Sequence, residues 1–210
     1  MTAATPTPVS GRTVHPIETR SFEILRSRVD LTALPFWTRA VTERVVHSSA
    51  DLDYIDDLVC DEPALAAAAA ALAGGAPIVA DVEMVAAGIT TRPVVCRVKQ
   101  ARGSAERTRS AAAVHLALDE VGPGAIWVVG CAPTALEELI ALGADAAPAL
   151  VIGLPVGFVG AAESKAALRE SGLPAVSNRS EKGGSAVAAA ALNALLYAGS
   201  SGPAPAEETP

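Results

Sequence analysis

The sequence predicts an α/β fold of three layers, α/β/α, with a mainly parallel five-stranded sheet wound in a Rossmann-like way. Three observations lead there. Short apolar runs at 77–80, 94–98, 125–129, 150–152 and 174–176 alternate along the chain with longer segments of helical pattern. Most of those runs are near-continuous Val, Ile and Ala rather than apolar-polar alternations, as in strands buried on both faces. Each is followed by a Gly, Pro or polar cluster and then by a helix, the order that right-handed crossovers between parallel strands require. Half of the 210 residues are hydrophobic but only 3% are aromatic, so the core must come from Ala, Val, Leu and Ile.

Taken in order, residues 1–14 are rich in Thr, Pro and Ala without a period and read as a disordered tail. His15-Pro16 opens a helix, with proline suited to its first turn, and Phe22, Leu25 and Val29 share one side of it. Leu34-Pro35 starts a second helix, where Trp37, Val41 and Val45 fall at i, i+4 and i+8 and lead to His47. The stretch 51–62 holds six acids (Asp51, Asp53, Asp56, Asp57, Asp61, Glu62) and no base, and reads as a solvated face.

Beyond it the alternation is regular. A helix over 64–73 stops at Gly74-Gly75, and the strand 77–80 ends at Asp81, from which a helical run reaches Gly88. The strand 94–98 precedes an Ala-rich helix over 106–121, closed by Gly122-Pro123-Gly124. Then come strand 125–129, helix 133–142, strand 150–152, helix 162–171, strand 174–176 and helix 185–198. Residues 199–210 form a second polar, proline-bearing tail, leaving one domain over 15–198.

Several function classes are excluded. A net charge of −7 argues against general nucleic-acid binding. The uncharged runs 63–80 and 146–162 are broken by Gly and Pro, so neither reads as a membrane span. No apolar core follows the first residues, so no signal peptide is expected and the protein reads as cytoplasmic. Cys60, Cys96 and Cys131 are far apart without a CxxC pair, and read as buried small hydrophobes rather than as a disulfide or zinc site. Neither GxGxxG nor GxxxxGK[ST] occurs, so no nicotinamide or nucleoside triphosphate is expected.

In a parallel sheet, ligands bind outside the carboxyl ends of the strands. That rim comprises Asp81, the Lys99 region, 130–134, 153–160 and 177–185. Between 97 and 109 stand Arg97, Lys99, Arg102, Arg107 and Arg109 against Glu106 alone, which is either a site for a small polyanion or a solvated loop. Lys182-Gly183-Gly184-Ser185 before the last helix is either an anion site or a tight turn. His47 closes the second helix, where the last carbonyls favour its cation. Its unperturbed pKa of about 6.5 suits proton transfer near neutrality. The alternative is a surface histidine that merely ends a helix. His15 reads as a boundary residue and His115 as part of an Ala-rich helix.

The strings Ile17-Glu18-Thr19-Arg20-Ser21-Phe22, Arg44-Val45-Val46-His47 and Asp81-Val82-Glu83-Met84-Val85-Ala86-Ala87-Gly88 resemble the precorrin-8X methylmutase family of cobalamin biosynthesis. So do Thr108-Arg109-Ser110-Ala111-Ala112, Gly130-Cys131-Ala132-Pro133-Thr134 and the long block Gly153-Leu154-Pro155-Val156-Gly157-Phe158-Val159-Gly160-Ala161-Ala162-Glu163-Ser164-Lys165. Gly183-Gly184-Ser185-Ala186 and Ala191-Leu192-Asn193 complete the series, in order from about residue 15 to 195.

The resemblance implies an isomerase that moves a methyl group from carbon 11 to carbon 12 of a corrinoid, giving hydrogenobyrinic acid or its cobalt-bearing counterpart, with no cofactor. It implies that His47 delivers a proton to a ring nitrogen. It also implies that Arg20, Ser21 and Arg109 contact the substrate, with Thr90 a further pocket position, and that the protein is a homodimer. A polycarboxylate gripped by several arginines loses many contacts at once on release, so a tightly held product is expected. Two departures stand out. Asn178-Arg179-Ser180-Glu181-Lys182 lacks the family's Gly-Arg before Gly-Gly-Ser, and Ser48-Ser49-Ala50 lacks a glycine sometimes found after the histidine. Two other readings are a corrinoid carrier without turnover and an unrelated α/β enzyme acting on a small acid.

Overall fold

Residues 14–199 are described by the structure, a computed structural model; apart from Val14 and Gly199, both expected tails lie outside the described residues. The strands are β1 Leu58–Cys60, β2 Ile78–Ala80, β3 Ile126–Val129, β4 Leu150–Gly153 and β5 Ala175–Asn178. They form one sheet in the order β1-β5-β4-β3-β2, with β2 to β5 parallel and β1 antiparallel on the edge. The helices, in chain order, are α1 Pro16–Arg28, α2 Phe36–Ser49, α3 Tyr54–Asp57, α4 Glu62–Ala73, α5 Glu83–Gly88, α6 Arg109–Val121, α7 Pro133–Leu142, α8 Ala161–Glu170 and α9 Ser185–Gly199.

Alternation along each strand sorts the side chains into two cores. Ile78, Ala80, Ile126, Val128, Leu150, Ile152 and Val176 enter a core shared with α1, α2, α4, α5 and α9. Val79, Trp127, Val129 and Val151 enter the opposite core, closed by α6, α7 and α8. Both faces are therefore dry, and the expected three layers are present. The central pairings Ile78↔Ile126 and Ile126↔Leu150 put large aliphatic groups in one row across the sheet.

The spacing in α1 and α2 did what it predicted. Leu25 is buried and Phe22 and Val29 half-buried, while Val41 and Val45 are wholly enclosed, with Trp37 half-buried at the helix start. Enclosing one such aliphatic side chain contributes about 1.5–3 kcal/mol. α2 packs along α9, so its last turn, which carries His47, is tied to the main core.

Two elements differ from the sequence expectation. The run 94–98 is no strand: only Val95 pairs, donating to Ile78 O and accepting from Ala80 N, in a single parallel bridge to Val79. The chain then turns at Arg97, whose carbonyl accepts from Gln100 N and Ala101 N, and Cys96, Val98 and Ala101 make a small core of their own with Ala113. The fifth strand is instead β1, inside the stretch read as a solvated acidic face.

That acidic stretch is largely bonded. The Glu62 carboxylate accepts from Trp37 N, Thr38 N and Thr38 Oγ1 at 2.9, 2.7 and 2.8 Å. It caps α2 from another helix, where orphan N–H groups and the helix dipole favour an anion. Asp61 caps α4 by accepting from Ala64 N, and Asp57 and the Asp51–Asp53 pair bind the loop after β5. An acid-rich run without bases reads as solvated only because its partners are distant in sequence. Among the described residues, no helix is long and apolar enough to cross a membrane.

Candidate functional site

His47 stands in the last turn of α2, and α1 packs against it. Ser21 Oγ lies 2.8 Å from His47 Nδ1, so two helices supply the two halves of one hydrogen-bonded pair. Phe22, the next residue, stacks on the imidazole with centroids 4.7 Å apart and planes 8° from parallel. The same phenyl ring meets the Arg44 guanidinium at 5.1 Å and that of Arg26 at 5.5 Å. Arg44 also lies 4.7 Å from the Tyr197 ring and forms an ion pair with Glu18 at 2.8 Å. The imidazole is thus held in its plane by stacking and in its rotation by the serine. Both residues are half-buried.

The last turn is closed by Ala50, which adopts φ 54 and ψ 24 and donates its N–H to Val46 O. That left-handed position is the one where glycine is unstrained. This chain carries alanine there, so the cap is strained.

Around the Ser21–His47 pair the surface is amphipathic. A pocket of about 130 Å³ is lined by Ser21, Ile24, Arg28, His47 and Leu52 among others. It adjoins an open face of about 450 Å³ formed by Pro16, Ile17, Arg20, Ser21 and Ile24. Residues 17, 20, 21, 24 and 28 follow helical spacing, so α1 offers two isoleucines and two arginines on one side. Arg20 is exposed and pairs with Glu23 at 2.9 Å. Beyond Phe22 lies a groove of about 600 Å³, where the charges of Glu18, Arg26, Glu43 and Arg44 are already paired with one another.

The strand-end rim is built differently. Asp81, buried at the end of β2, accepts from Gly130 N, Cys131 N and Ala132 N at 3.1, 2.8 and 2.9 Å and so ties two rim loops together. Burial pushes its carboxyl up, against the pull of those N–H groups. The loops 154–157 and 178–184 touch through Gly157 N to Glu181 O and Gly184 N to Leu154 O. Gly183, at φ 154, lies so close that a Cβ would meet Leu154 O at 2.3 Å. Phe158 and Val159 project from this rim almost fully exposed.

A family profile described as precorrin-8X methylmutase matches residues 16–198. The precorrin-8X methylmutase of a Sinorhizobium species is 40% identical over 195 residues, covering 86% of this chain and 92% of its own. The cobalt-precorrin-8 methylmutase of Salmonella typhimurium is 39% identical over 201 residues, covering 86% and 93%. The crystal structure of the precorrin-8X methylmutase from Thermus thermophilus superposes with a TM-score of 0.78 at 34% identity, over 87% of this chain and 96% of that one.

The chain belongs to the precorrin-8X methylmutase family. Of the methylmutase positions expected from sequence, Ser21 and His47 are joined directly and Arg20 lies beside them on α1. Arg109 and Thr90 stand elsewhere. Arg109 opens α6 just after its capping residue Thr108, and Thr90 follows α5; both are exposed.

The basic stretch is mostly neutralised: Arg97 pairs with Glu120, Lys99 with Glu83 at 3.1 Å and Arg107 with Glu138 at 3.2 Å. Its reading as a polyanion site therefore narrows to Arg102 and Arg109. The cysteine expectation also needs correction, because Cys131 is exposed and Cys60 half-buried, with only Cys96 buried.

Arg28 and Arg44 were not singled out by spacing, and Phe22 only as a packing residue, although Phe22 and Arg44 lie inside the quoted methylmutase strings. The altered 178–185 loop is anchored through Ser180, whose Oγ donates to Asp57 Oδ2 at 2.6 Å. Burial pushes Asp57 up, but donors from Ser180, Asn178 and the 179–180 backbone outweigh it and hold the carboxyl below its usual range. The loop's acid, Glu181, is exposed on the rim.

Proposed function

We propose that the chain, as a single unit over 15–198, catalyses migration of a methyl group from carbon 11 to carbon 12 of a precorrin-8X-type corrinoid. His47 serves as proton donor to a ring nitrogen. The hydrogen bond between Ser21 Oγ and His47 Nδ1 carries this reading. A histidine used only to end a helix needs neither a serine from another helix nor a stacked phenyl ring. Protonating the macrocycle draws electron density toward nitrogen and so favours the shift of an alkyl group between adjacent ring carbons. The methyl group never leaves the substrate, so the protein's work is orientation, proton delivery and charge stabilisation.

The surface chemistry fits such a ligand. Ile17, Ile24 and Leu52 suit the flat apolar faces of the ring, and Arg20 and Arg28 suit carboxylates at its edge. Arg109 and Thr90 complete the substrate contacts in this reading, a homodimer brings the exposed rim of one protomer near the site of the other, and the reaction runs in the cytoplasm without a cofactor. Relatives carry both names, precorrin-8X methylmutase and cobalt-precorrin-8 methylmutase. The test is incubation of the purified protein with the cobalt-free and the cobalt-bearing substrate, following the visible spectrum under single-turnover conditions. Conversion of one form or both is expected. Binding without any spectral conversion would instead favour a carrier.

A further inference from the structure

Lys165 has no exposed surface, although it is a charged residue one turn into an Ala-rich helix. It belongs to the buried stripe Ala161, Ser164, Lys165 and Leu168 of α8. Its ammonium has three protons and meets three oxygens: Asn178 Oδ1 at 2.8 Å, Ser180 O at 2.5 Å and Lys182 O at 2.6 Å. A buried cation is tolerated only when its donors are satisfied in this way. The acceptors come from the last residue of β5 and the short loop that follows it. Burial draws the Lys165 ammonium down to about 8, opposed by the nearby Asp57 carboxylate.

That loop connects the two parts of the site. On one side Gly157 N and Gly184 N bind it to the 154–157 segment of the rim. On the other, Lys182 Nζ reaches Asp51 Oδ2 at 2.8 Å and Asp53 Oδ2 at 2.6 Å. Asp51 follows His47 by four residues, directly after the strained cap Ala50. Asn178 completes the set by donating from its amide nitrogen to Asp57 Oδ2 at 2.7 Å while its oxygen accepts from Lys165.

We propose that Lys165 is a positioning residue of the methylmutase site. From inside α8 it sets the 178–184 loop in the conformation from which Lys182 holds the segment behind His47. It touches no ligand, since it is wholly enclosed. The inference rests on the proposed function only in taking a corrinoid as the ligand. Without Lys165 the loop populates other conformations, and a ligand must pay to restore the one observed. Apparent affinity then falls by the fraction of competent protein. The Ser21–His47 pair is carried by α1 and α2, so turnover of the bound complex stays near wild type.

The test compares wild type with Lys165→Met, similar in length but uncharged, and with Lys182→Ala at the exposed outer end of the chain of contacts. Hydrogen–deuterium exchange on the full-length protein and steady-state kinetics are the two readouts. In Lys165→Met the amides of 154–157 and 178–184 should exchange about 10-fold faster or more, with those of α2 and α9 unchanged. KM should rise roughly 10-fold with kcat within about 3-fold, and added corrinoid product should restore protection. Lys182→Ala should change both in the same direction and by less.

Uniform acceleration over all amides would make Lys165 a stabilising residue only, and an unchanged loop with unchanged KM would overturn the inference. Should Lys165→Met fail to fold, Lys182→Ala decides, because it cuts the last link that Lys165 is proposed to set. A wild type that converts neither corrinoid would overturn the proposed function. The exchange comparison on free protein would then still decide whether Lys165 holds the loop.

Discussion

Ser21 and His47 meet at 2.8 Å across 26 residues of chain, one from α1 and one from the last turn of α2. The serine hydroxyl fixes the rotation of the imidazole and the Phe22 ring fixes its plane, so the pair is oriented before any ligand binds. If the histidine is the proton donor, His47→Ala should fold normally, bind corrinoid and lose about 10²–10⁴-fold in turnover. Ser21→Ala should lose less, and its pH–rate profile should shift because the partner of Nδ1 is gone. Single-turnover rates and product binding, measured on both variants, check this. Near wild-type turnover in a folded His47→Ala would remove the histidine from the mechanism.

Ala50 supplies a different test. A residue with a Cβ held at φ 54 is disfavoured by roughly 1–2 kcal/mol relative to right-handed backbone, and glycine avoids most of that cost. Ala50→Gly should therefore raise stability, by about 0.5–1 kcal/mol once the extra freedom of the unfolded chain is counted. Thermal or urea unfolding measures it. A destabilised Ala50→Gly would mean that the alanine side chain makes a contact outweighing its strain.

Arg109 is exposed at the first position of α6, where the helix dipole disfavours a cation. That cost is small, about 0.3–1 kcal/mol, and the proposed function assigns the arginine to the substrate. Arg109→Ala should raise KM on the order of 10–100-fold, given about 1.5–3 kcal/mol for a charged hydrogen bond, and leave kcat nearly unchanged. Wild-type affinity should weaken with salt, and the variant's less steeply. A variant that lowers kcat as His47→Ala does, with KM intact, would assign the arginine to the transition state instead.

The fold was legible in the sequence wherever one local pattern decided it. Val41 and Val45 sat at helical spacing and became core; the short apolar runs at 77–80, 125–129, 150–152 and 174–176 became β2 to β5. Long-range partners were not legible. Val94-Val95-Cys96 looks as apolar as any strand, but only Val95 pairs with β2 before the chain turns at Arg97. Leu58–Cys60 became an edge strand because β5 lies beside it, which nothing nearby in the chain announces. His47 was legible as a histidine at a helix end and through the family strings, whereas its ring contacts with Phe22 depend on how α1 and α2 pack. Lys165 left a signal, a lysine on the apolar stripe of a helix, whose meaning depended on a loop 13–17 residues away.

Asp57 gives the last prediction. Its carboxylate accepts from Asn178 Nδ2, Ser180 Oγ, Arg179 N and Ser180 N, at 2.7, 2.6, 2.9 and 2.8 Å, and these donors outweigh burial to keep it below the usual carboxylate range. Below the unfolded value of about 3.9, the unfolded chain binds a proton that the native protein resists. The stability Asp57 supplies is therefore complete above about pH 4 and is lost as pH falls through its lowered folded value. Asp57→Asn keeps the shape but loses the charge and turns an amide toward donors, which should cost about 1.5–3 kcal/mol at neutral pH. Urea unfolding of both proteins from pH 7 down to pH 3 should show that gap narrowing at the acid end, with the 178–184 amides the first to lose protection in wild type. A gap of constant size across that range would mean that the ionised carboxylate is not what holds the loop.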